Sequence, residues 1–435
     1  MSPTNNNTEP LYTFPVQNGF DVRDVTELDF DIVPYFDELY LNLDSIRGTK
    51  YRDDLDFQLN IDNNELTQRT KSYTKIVFSG HKGSGKTIEL GKYHKTINDP
   101  NRYFSVFIQL ENETNLARFE PEDLFVMLIA KLIERCQTEH ISIKDDYLDN
   151  IAEEWIKDVD LKTEVTDVFK HELNASAGFG VKLFSFFNAK TGFKTVFGGE
   201  SKTAKVIRRK VKQNTLGLIA QFNEILEELR AELKRNHGYK DILFIMDGSE
   251  KIKQETYQYL FIDNNHLLRN LNANCIFAIP INFFFAINAS VAAGFFERSI
   301  LPMIVVDEKS KKLLADILTK RISPTFFGDQ VLDKIAEQSG GSFRQLLGIT
   351  NRAIMDTKGK AITIESLEAS LKLYGRFLYE RLNTEETQLL KNFHKAQIEL
   401  KPADEITGRL LFSLALLKYN GHYKVNPVII PYLTS

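Results

Sequence analysis

The chain has 435 residues, of which 43% are hydrophobic, and its 55 basic and 59 acidic residues give a net charge of −4. The length predicts two to four domains that can each bury a core, and the charge excludes a global positive field that would draw the whole protein onto nucleic acid. The two cysteines, Cys136 and Cys275, have no metal-ligand spacing. With an N-terminal stretch that lacks the basic and apolar regions of a signal peptide, they predict a cytoplasmic protein.

The first elements in chain order predict an α/β core. Residues 1–70 form an acidic N-terminal region without recognisable chemistry, which we expect to pack on the core or to meet a partner. Residues 71–140 then alternate apolar strands with helices. This order is typical of a parallel sheet that carries helices on its faces. The predicted elements are a strand at Lys75–Ser79, a helix from near Lys86, a strand at residues 103–110 and a helix at residues 121–136.

Residues 141–237 interrupt this alternation and are predicted to be an insertion. Strand patterns return at residues 242–246, at 275–279 and, as a fifth strand, at 303–306. The fold class predicted is therefore α/β, with a parallel-sheet core over 71–306 and small N- and C-terminal parts. Residues 307–375 are predicted to be a helical lid and residues 376–435 a small C-terminal domain that closes with a hairpin turn at Asn420-Gly421.

One segment is uncharged for long enough to span a bilayer. Residues 275–296 read CIFAIPINFFFAINASVAAGFF. This segment is weakened as a helix in lipid by Pro280, Asn282, Asn288, Ser290 and Gly294, and its flanks fit a soluble core. We therefore predict a buried strand followed by an apolar loop or helix, and no membrane span.

The strongest motif in the sequence is GHKGSGKT, from Gly80 to Thr87. Its glycines let backbone N–H groups approach phosphate oxygens, and the helix that follows points its positive end at them. The lysine reaches the β- and γ-phosphates and the threonine hydroxyl binds magnesium. The motif predicts that the core over 71–306 is a P-loop NTPase core, with ATP and Mg²⁺ as cofactors. The predicted binding residues are Gly80, Lys82, Gly83, Ser84, Gly85, Lys86, Thr87 and Ile88.

A second acidic residue is required to hold magnesium, and Asp247 fits because it ends the apolar strand at residues 242–246. Hydrolysis also requires a group that orients the attacking water. Gly248 follows Asp247, so the adjacent glutamate of many such ATPases is missing. Glu250 is the best candidate for this role, and the alternative is a solvated carboxylate at a helix start.

Four stretches together resemble an AAA+-type ATPase: GHKGSGKT, ILFIMDGSE, IFAIPIN and SGGSFRQLLGITNRA. More narrowly, the chain is similar to bacterial ATPases near the origin-recognition and STAND branches. The resemblance covers about residues 71–355, without the insertion. Its first motif is specific, the second less so, and the last two are weak alone.

The resemblance implies further site residues. Asn282 matches the polar sensor that contacts the γ-phosphate or water, and Arg344 matches a second sensor at the start of a lid helix. Such an arginine couples the nucleotide state to the domain angle. Arg298 is a candidate finger toward a neighbour's nucleotide. The alternatives are a loop asparagine, a surface arginine and a surface ion pair.

Within the insertion, residues 175–212 are rich in glycine, phenylalanine, lysine and arginine, and a β-hairpin that turns at residues 188–192 is predicted. Three interpretations stay open for residues 182–212. They could bind single-stranded nucleic acid, meet an anionic membrane surface, or pack their aromatic residues on the core with solvated lysines.

The leading functional hypothesis is an ATPase that acts as a nucleotide-driven conformational switch, with Lys86, Glu250, Asn282 and Arg344 in catalytic roles. The alternative is a slow or non-hydrolysing assembly module that scaffolds a separate effector. The resemblance implies a DNA-directed or anti-phage defence system, with a homo-oligomer or an effector protein as partner.

Overall fold

The computed structural model of the chain describes residues 11–27, 30, 36–67, 73–155, 192–199, 202–248, 252–396 and 398–434. These residues form strands in three sheets, the largest of which has five strands. The strands in chain order are β1 (Ile61–Asp62), β2 (Glu65–Leu66), β3 (Lys75–Ser79), β4 (Tyr103–Gln109), β5 (Asp241–Asp247), β6 (Asn274–Ala278), β7 (Glu297–Ile300), β8 (Leu416–Lys418) and β9 (Tyr423–Val425).

The five-stranded sheet has the order β4-β5-β6-β3-β7, and β4 with β5, β5 with β6, and β6 with β3 pair in parallel. Strands β3 and β6 are buried along their whole length, as expected of a sheet that is covered on both faces. Buried Lys75 is satisfied because its Nζ donates to the carbonyls of Leu271 and Ala273. The predicted α/β core with a parallel sheet is confirmed.

The helices supply the covering layers and the predicted lid. They are α1 (Gly19–Val25), α2 (Phe36–Leu39), α3 (Asp44–Arg47), α4 (Lys50–Gln58), α5 (Lys86–Ile97), α6 (Leu110–Glu113), α7 (Pro121–Thr138), α8 (Asp145–Trp155), α9 (Gly192–Phe197), α10 (Lys202–Gln213), α11 (Thr215–Glu232), α12 (Gln254–Tyr257), α13 (Asn265–Arg269), α14 (Ile281–Asn288), α15 (Glu308–Arg321), α16 (Val331–Gln338), α17 (Phe343–Asp356), α18 (Ile364–Tyr379), α19 (Thr384–Ala396), α20 (Glu405–Phe412) and α21 (Ile430–Leu433). Short 3-10 segments lie at Leu116–Arg118, Val291–Gly294 and Pro324–Phe326, and π segments at Leu233–His237 and Gln258–Asp263.

The chain divides into two compact units. Unit one contains the described residues of Met1–Tyr51, Gly80–Gly85 and Ile300–Ser435. Unit two contains those of Arg52–Ser79 and Lys86–Ser299. Unit one holds helices α15 to α21, which include those of the predicted lid, and the β8–β9 hairpin. The sheet core belongs to unit two, with β7 ending at its boundary.

The predicted fifth strand at residues 303–306 is wrong, because the fifth strand is β7. Pro302 lacks a backbone N–H and is a poor ladder residue. The apolar run after it packs in a core cluster and does not form a strand. Met303 packs with Leu414, Leu417 and Tyr419 in a buried cluster of unit one.

The predicted hairpin over 175–212 is also corrected where the structure describes it. Residues 175–191 lie outside the described residues, but the stretch assigned to a returning strand forms helices α9 and α10. Phe193 and Phe197 are buried, and their rings stack with centroids 4.5 Å apart. In this part of the insertion the aromatic residues therefore pack in the core.

The uncharged segment of residues 275–296 forms β6, α14 and a 3-10 turn. None of the helices in the described ranges combines the length and the apolar character needed to cross a membrane. The apolar residues of the segment are instead buried in unit two, as Ile276 and Phe277 show.

Arg208, in the basic segment of residues 182–212, forms an ion pair with the buried side chain of Asp123. Arg208 donates to Asp123 from Nε at 2.8 Å and from Nη2 at 2.6 Å, and the Asp123 side chain is 0% exposed. Burial raises the pKa of Asp123, and the Arg208 guanidinium opposes that shift. We expect Arg208→Met to lower the free energy of unfolding by about 3–5 kcal/mol, because it leaves a buried carboxylate without its cation. Urea unfolding measures this, and exposed Arg209→Met is the control that should change little.

The half-buried side chain of His94 makes stability depend on pH. His94 Nδ1 lies 2.9 Å from Ser105 Oγ, and burial, helped by Arg135 and Lys95, lowers the pKa of His94 from 6.5 to about 4. The unfolded chain therefore binds a proton near pH 6.5 and the folded chain does not. Above pH 6.5 His94 does not lower the free energy of unfolding. As the pH falls from 6.5 toward 4, it lowers the free energy of unfolding by up to about 2–3 kcal/mol.

His94→Gln should remove this part of the acid sensitivity. We expect the loss of unfolding free energy between pH 7.5 and 4.5 to be about 2 kcal/mol smaller in the variant than in the wild type. Exposed His266→Gln is the control and should keep the wild-type loss. Equal losses in wild type and His94→Gln would contradict the assignment.

Candidate nucleotide-binding site

The phosphate-loop motif connects β3 to α5, as the sequence predicts. Strand β3 ends at Ser79, the loop occupies Gly80–Gly85, and α5 begins at Lys86. The first turn of α5 therefore follows the last glycine of the loop directly. This is the arrangement in which helix N–H groups and the positive end of the helix dipole face a bound anion.

Gly83 lies against the first residues of α17 within unit one. Its carbonyl accepts a hydrogen bond from the N–H of Phe343 at 2.9 Å. Its φ is +72°, and a Cβ at this position would lie 2.2 Å from the Cβ of Arg344. A side chain at position 83 is therefore excluded twice, by backbone conformation and by space. The predicted second sensor, Arg344, is brought directly to the loop.

The loop is also held by the C-terminal part of the chain. The His81 ring is 1% exposed, its Nε2 accepts the N–H of Lys418 at 2.8 Å, and its Nδ1 lies 3.2 Å from the carbonyl oxygen of Leu411. The ammonium of Lys82 lies 3.6 Å from the centre of the Phe412 ring. The residues predicted from the motif thus have partners in α20 and in the β8–β9 hairpin.

Arg47 supports the loop from the N-terminal region. Its Nη2 donates to the carbonyl of Ser84 at 2.5 Å, and its guanidinium lies 5.4 Å from the centre of the Phe343 ring. The side chain is buried. The sequence gives no signal for this residue, because no motif joins position 47 to a loop 37 residues later in the chain.

The carboxyl ends of the central strands of unit two meet at one edge of the sheet. Asp247 ends β5 in register with Gln109 at the end of β4, and Ser79 Oγ at the end of β3 donates to the carbonyl of Ile279 beyond β6 at 2.9 Å. Asp247 is buried at 2% exposure. Ligands of open α/β sheets bind at this edge, where the strand order reverses. Here it reverses between β3 and β6, since β3 leads toward β4 and β6 leads to β7 on the other side.

Asn282 lies at the same end of β6, as the second residue of α14. Its Oδ1 is buried and has no hydrogen-bond partner among the described residues. In unit one, Ser84 Oγ and Arg344 Nε are likewise buried and lack such partners within the described ranges. Buried polar atoms without partners are costly, so each of these atoms is suited to pair with a polar group of a bound nucleotide or with water. Of the two predicted magnesium ligands, Thr87 is exposed and Asp247 is buried, and both carry oxygen atoms of the kind that magnesium binds.

Several solved structures are similar to this chain. A structure of Cdc6p from Pyrobaculum aerophilum matches 94% of this chain and 97% of its own chain, at 14% identity and a TM-score of 0.38. A Walker-type ATPase of Pyrococcus abyssi matches 92% of this chain and all of its own, at 13% identity and a TM-score of 0.44. A RuvB variant of Thermotoga maritima matches 50% of this chain and 83% of its own, at 14% identity and a TM-score of 0.24.

No protein-family model matches the sequence, and no curated protein matches it. The solved structures are distant, with TM-scores below 0.5. The description of the core as a P-loop fold therefore depends on this chain's own loop, strand order and strand ends.

The other predicted site residues lie in α5, in β7 and outside the described residues. Ile88 is a half-buried residue in the first turn of α5. Arg298 lies within β7 and not before the fifth strand, and its carbonyl accepts a hydrogen bond from Gln58 at 2.9 Å. Glu250 lies outside the described residues. It stays a prediction of the sequence.

A carboxylate that no sequence motif marks, Glu111, lies next to Gly248. Gly248, directly after Asp247, has a φ of +80°, and a Cβ there would lie 3.1 Å from Cγ of Glu111. The positive φ favours glycine at this position. Glu111 lies in α6, which follows β4. A signal for Glu111 is present in the sequence, because Glu111 follows the predicted strand β4. Strand β5 is also predicted, and neighbouring parallel strands end at the same edge of the sheet.

Proposed function

We propose that the protein binds ATP with Mg²⁺ and acts as an AAA+-like ATPase whose nucleotide state sets the conformation of its lid. The observation that carries this proposal is the seating of α17 on the phosphate loop, through Phe343 and Arg344 at Gly83. A group bound by the loop would meet Arg344 at the N-terminus of a lid helix. Presence or absence of the γ-phosphate would then change what holds that helix in place.

The individual roles follow from chemistry and position. Lys86 supplies a positive charge at the start of α5 to the β- and γ-phosphates, and Thr87 and Asp247 supply oxygen ligands to magnesium. Asn282 offers a buried acceptor oxygen at the end of β6, which suits a water that must be oriented. Magnesium, when bound, neutralises charge on the phosphates.

Two carboxylates compete for the role of orienting the attacking water. Glu250 is supplied by the sequence, and Glu111 by the geometry around Gly248. We expect Glu111→Gln to lower the turnover number for ATP by about 100-fold with ATP affinity within about twofold of wild type, because Gln keeps the shape and loses the basic oxygen. Steady-state hydrolysis and equilibrium binding of a fluorescent ATP analogue measure the two quantities.

Glu250→Gln is the comparison in the same experiment. If Glu250→Gln loses turnover and Glu111→Gln keeps it, Glu250 carries the role and the assignment to Glu111 is wrong. If the wild type itself binds ATP but shows no turnover, with or without DNA, the switch driven by hydrolysis is wrong. The alternative of a slow or non-hydrolysing assembly module, which scaffolds a separate effector, is then favoured.

We assign the protein to the bacterial branches near origin-recognition and STAND ATPases, and to a DNA-directed or anti-phage defence system in the cytoplasm. It would act as a homo-oligomer or with an effector protein. Exposed cations of the basic segment, such as Lys205 and Arg209, are the candidates for nucleic-acid contact. Particle mass measured with and without ATP and DNA tests both the oligomer and the nucleic acid.

A further inference from the structure

A cleft of about 800 Å³ opens within unit one, between one face of α17 and one face of α18. Gln345, Arg352 and Met355 line it from α17, and Leu373 and Phe377 line it from α18. Successive residues of this set lie three, four or seven positions apart along their helix. Those of each helix therefore share one face of it. The cleft is thus a groove between two helices.

The rim of this cleft is apolar and exposed. Phe377 is 60% exposed, Met355 54% and Leu373 48%. Scattered exposed apolar side chains are ordinary, but here three large ones border one groove. A grouping of this kind marks a surface that another molecule covers, and a groove between helices suits an apolar face of a partner helix.

The floor of the cleft contains the side-chain amide of Gln345. Gln345 is 1% exposed, and neither its Nε2 nor its Oε1 has a hydrogen-bond partner among the residues that the structure describes. A buried amide in this state is destabilising by about 1–3 kcal/mol for each unsatisfied atom. A side-chain amide pairs well with a peptide group, which offers one donor and one acceptor. A simple anion would satisfy only the donor.

The charge of the lining is positive. Of the described residues that line the cleft, Lys82, Arg344, Arg352 and Arg381 are cationic and Glu27 is acidic. Arg352 lies at the rim, where its Nε donates to Asp356 at 3.0 Å. This local excess stands against a net charge of −4 for the whole chain. The lining therefore complements an acidic ligand.

We propose that the cleft between α17 and α18 binds an acidic, amphipathic helical segment of a partner protein. Its apolar face lies on Met355, Leu373 and Phe377, one of its peptide or amide groups bonds to Gln345, and its carboxylates face Arg352 and Arg381. The cleft shares Lys82 and Arg344 with the predicted nucleotide site, so the titration is made without ATP and the variants are placed at other residues of the cleft.

The probe is a fluorescein-labelled synthetic peptide of about 16 residues, with leucine or phenylalanine at helical spacing and glutamate elsewhere. Fluorescence anisotropy with the full chain should give a dissociation constant on the order of 10 µM. The double variant Phe377→Ser with Arg381→Glu should weaken binding by about tenfold or more, because it removes an apolar anchor and reverses a charge. Both side chains are exposed, so the fold should survive.

The matched control is the double variant Phe57→Ser with Lys395→Glu, which makes the same kinds of change at exposed positions outside the cleft. It should bind the peptide as the wild type does. A peptide with lysine in place of every glutamate should bind about tenfold more weakly. The proposal is overturned if the wild type does not bind the acidic peptide at about 1 mM, if the Phe377 and Arg381 variant binds it equally well, or if a single-stranded DNA oligonucleotide displaces it.

Discussion

Replacing Lys86 with alanine is expected to weaken ATP binding by about 100-fold, equivalent to about 2.7 kcal/mol. Lys86 is the first residue of α5 and is 5% exposed, so its ammonium is held in a site that is largely shielded from solvent. Charge-assisted bonds from such a group to phosphate oxygens are strong, and alanine supplies neither the charge nor the donors. Equilibrium titration of a fluorescent ATP analogue measures the effect.

The control for this change is Lys95→Ala, on the exposed face of the same helix. It should leave ATP affinity within about twofold, since alanine also favours the helix. Thermal unfolding of both variants shows whether the fold is kept. Wild-type affinity in Lys86→Ala, with the fold intact, would show that the phosphate loop does not bind the nucleotide through this lysine.

Replacing Asp247 with asparagine is expected to remove the magnesium dependence of ATP binding and to lower turnover by about 100-fold or more. The side chain ends β5 at 2% exposure, and asparagine has nearly the same shape. What is lost is a negatively charged oxygen ligand, which magnesium prefers. Affinity measured in the presence of a chelator should therefore stay at the wild-type value, and affinity measured with magnesium should fall.

Glu255→Gln is the matched control for charge, because Glu255 is an exposed carboxylate in α12, close in sequence to Asp247. It should keep both the turnover and the magnesium dependence of the wild type. If Asp247→Asn also keeps them, Asp247 is not a magnesium ligand. The binding measurement decides this even if the wild type hydrolyses ATP slowly.

Much of the core could be predicted because its signals are local. The apolar run Lys75–Ser79, the glycine-rich loop and the helix from Lys86 are contiguous in the sequence, and the structure has them as a strand, a loop and a helix. Helices that follow the core are marked by their own caps. Ser342, for example, accepts the N–H of Gln345 at the start of α17. Such features depend on neighbours along the chain, so a pattern of residue types is enough to find them.

The errors occurred where pairing partners are distant in sequence. Residues 303–306 have the composition of a strand, but the ladder partner at that place is β7, and Met303 packs into a cluster with residues of the C-terminal part. The helices α9 and α10 replaced a predicted returning strand. Which backbone pairs with which, and which apolar face finds a partner, is decided by tertiary packing and not by local propensity.

The sequence by itself determined that a glycine-rich loop follows the buried strand β3, that an acid ends strand β5, and that helices follow the core. Only the tertiary structure decided what these parts touch. It placed Arg344 at Gly83, Arg47 at Ser84 and Glu111 beside Gly248. The reason is that these contacts join segments brought together by the folding of the whole chain, where close approach is set by sheet register and helix packing. No spacing in the sequence encodes such a distance.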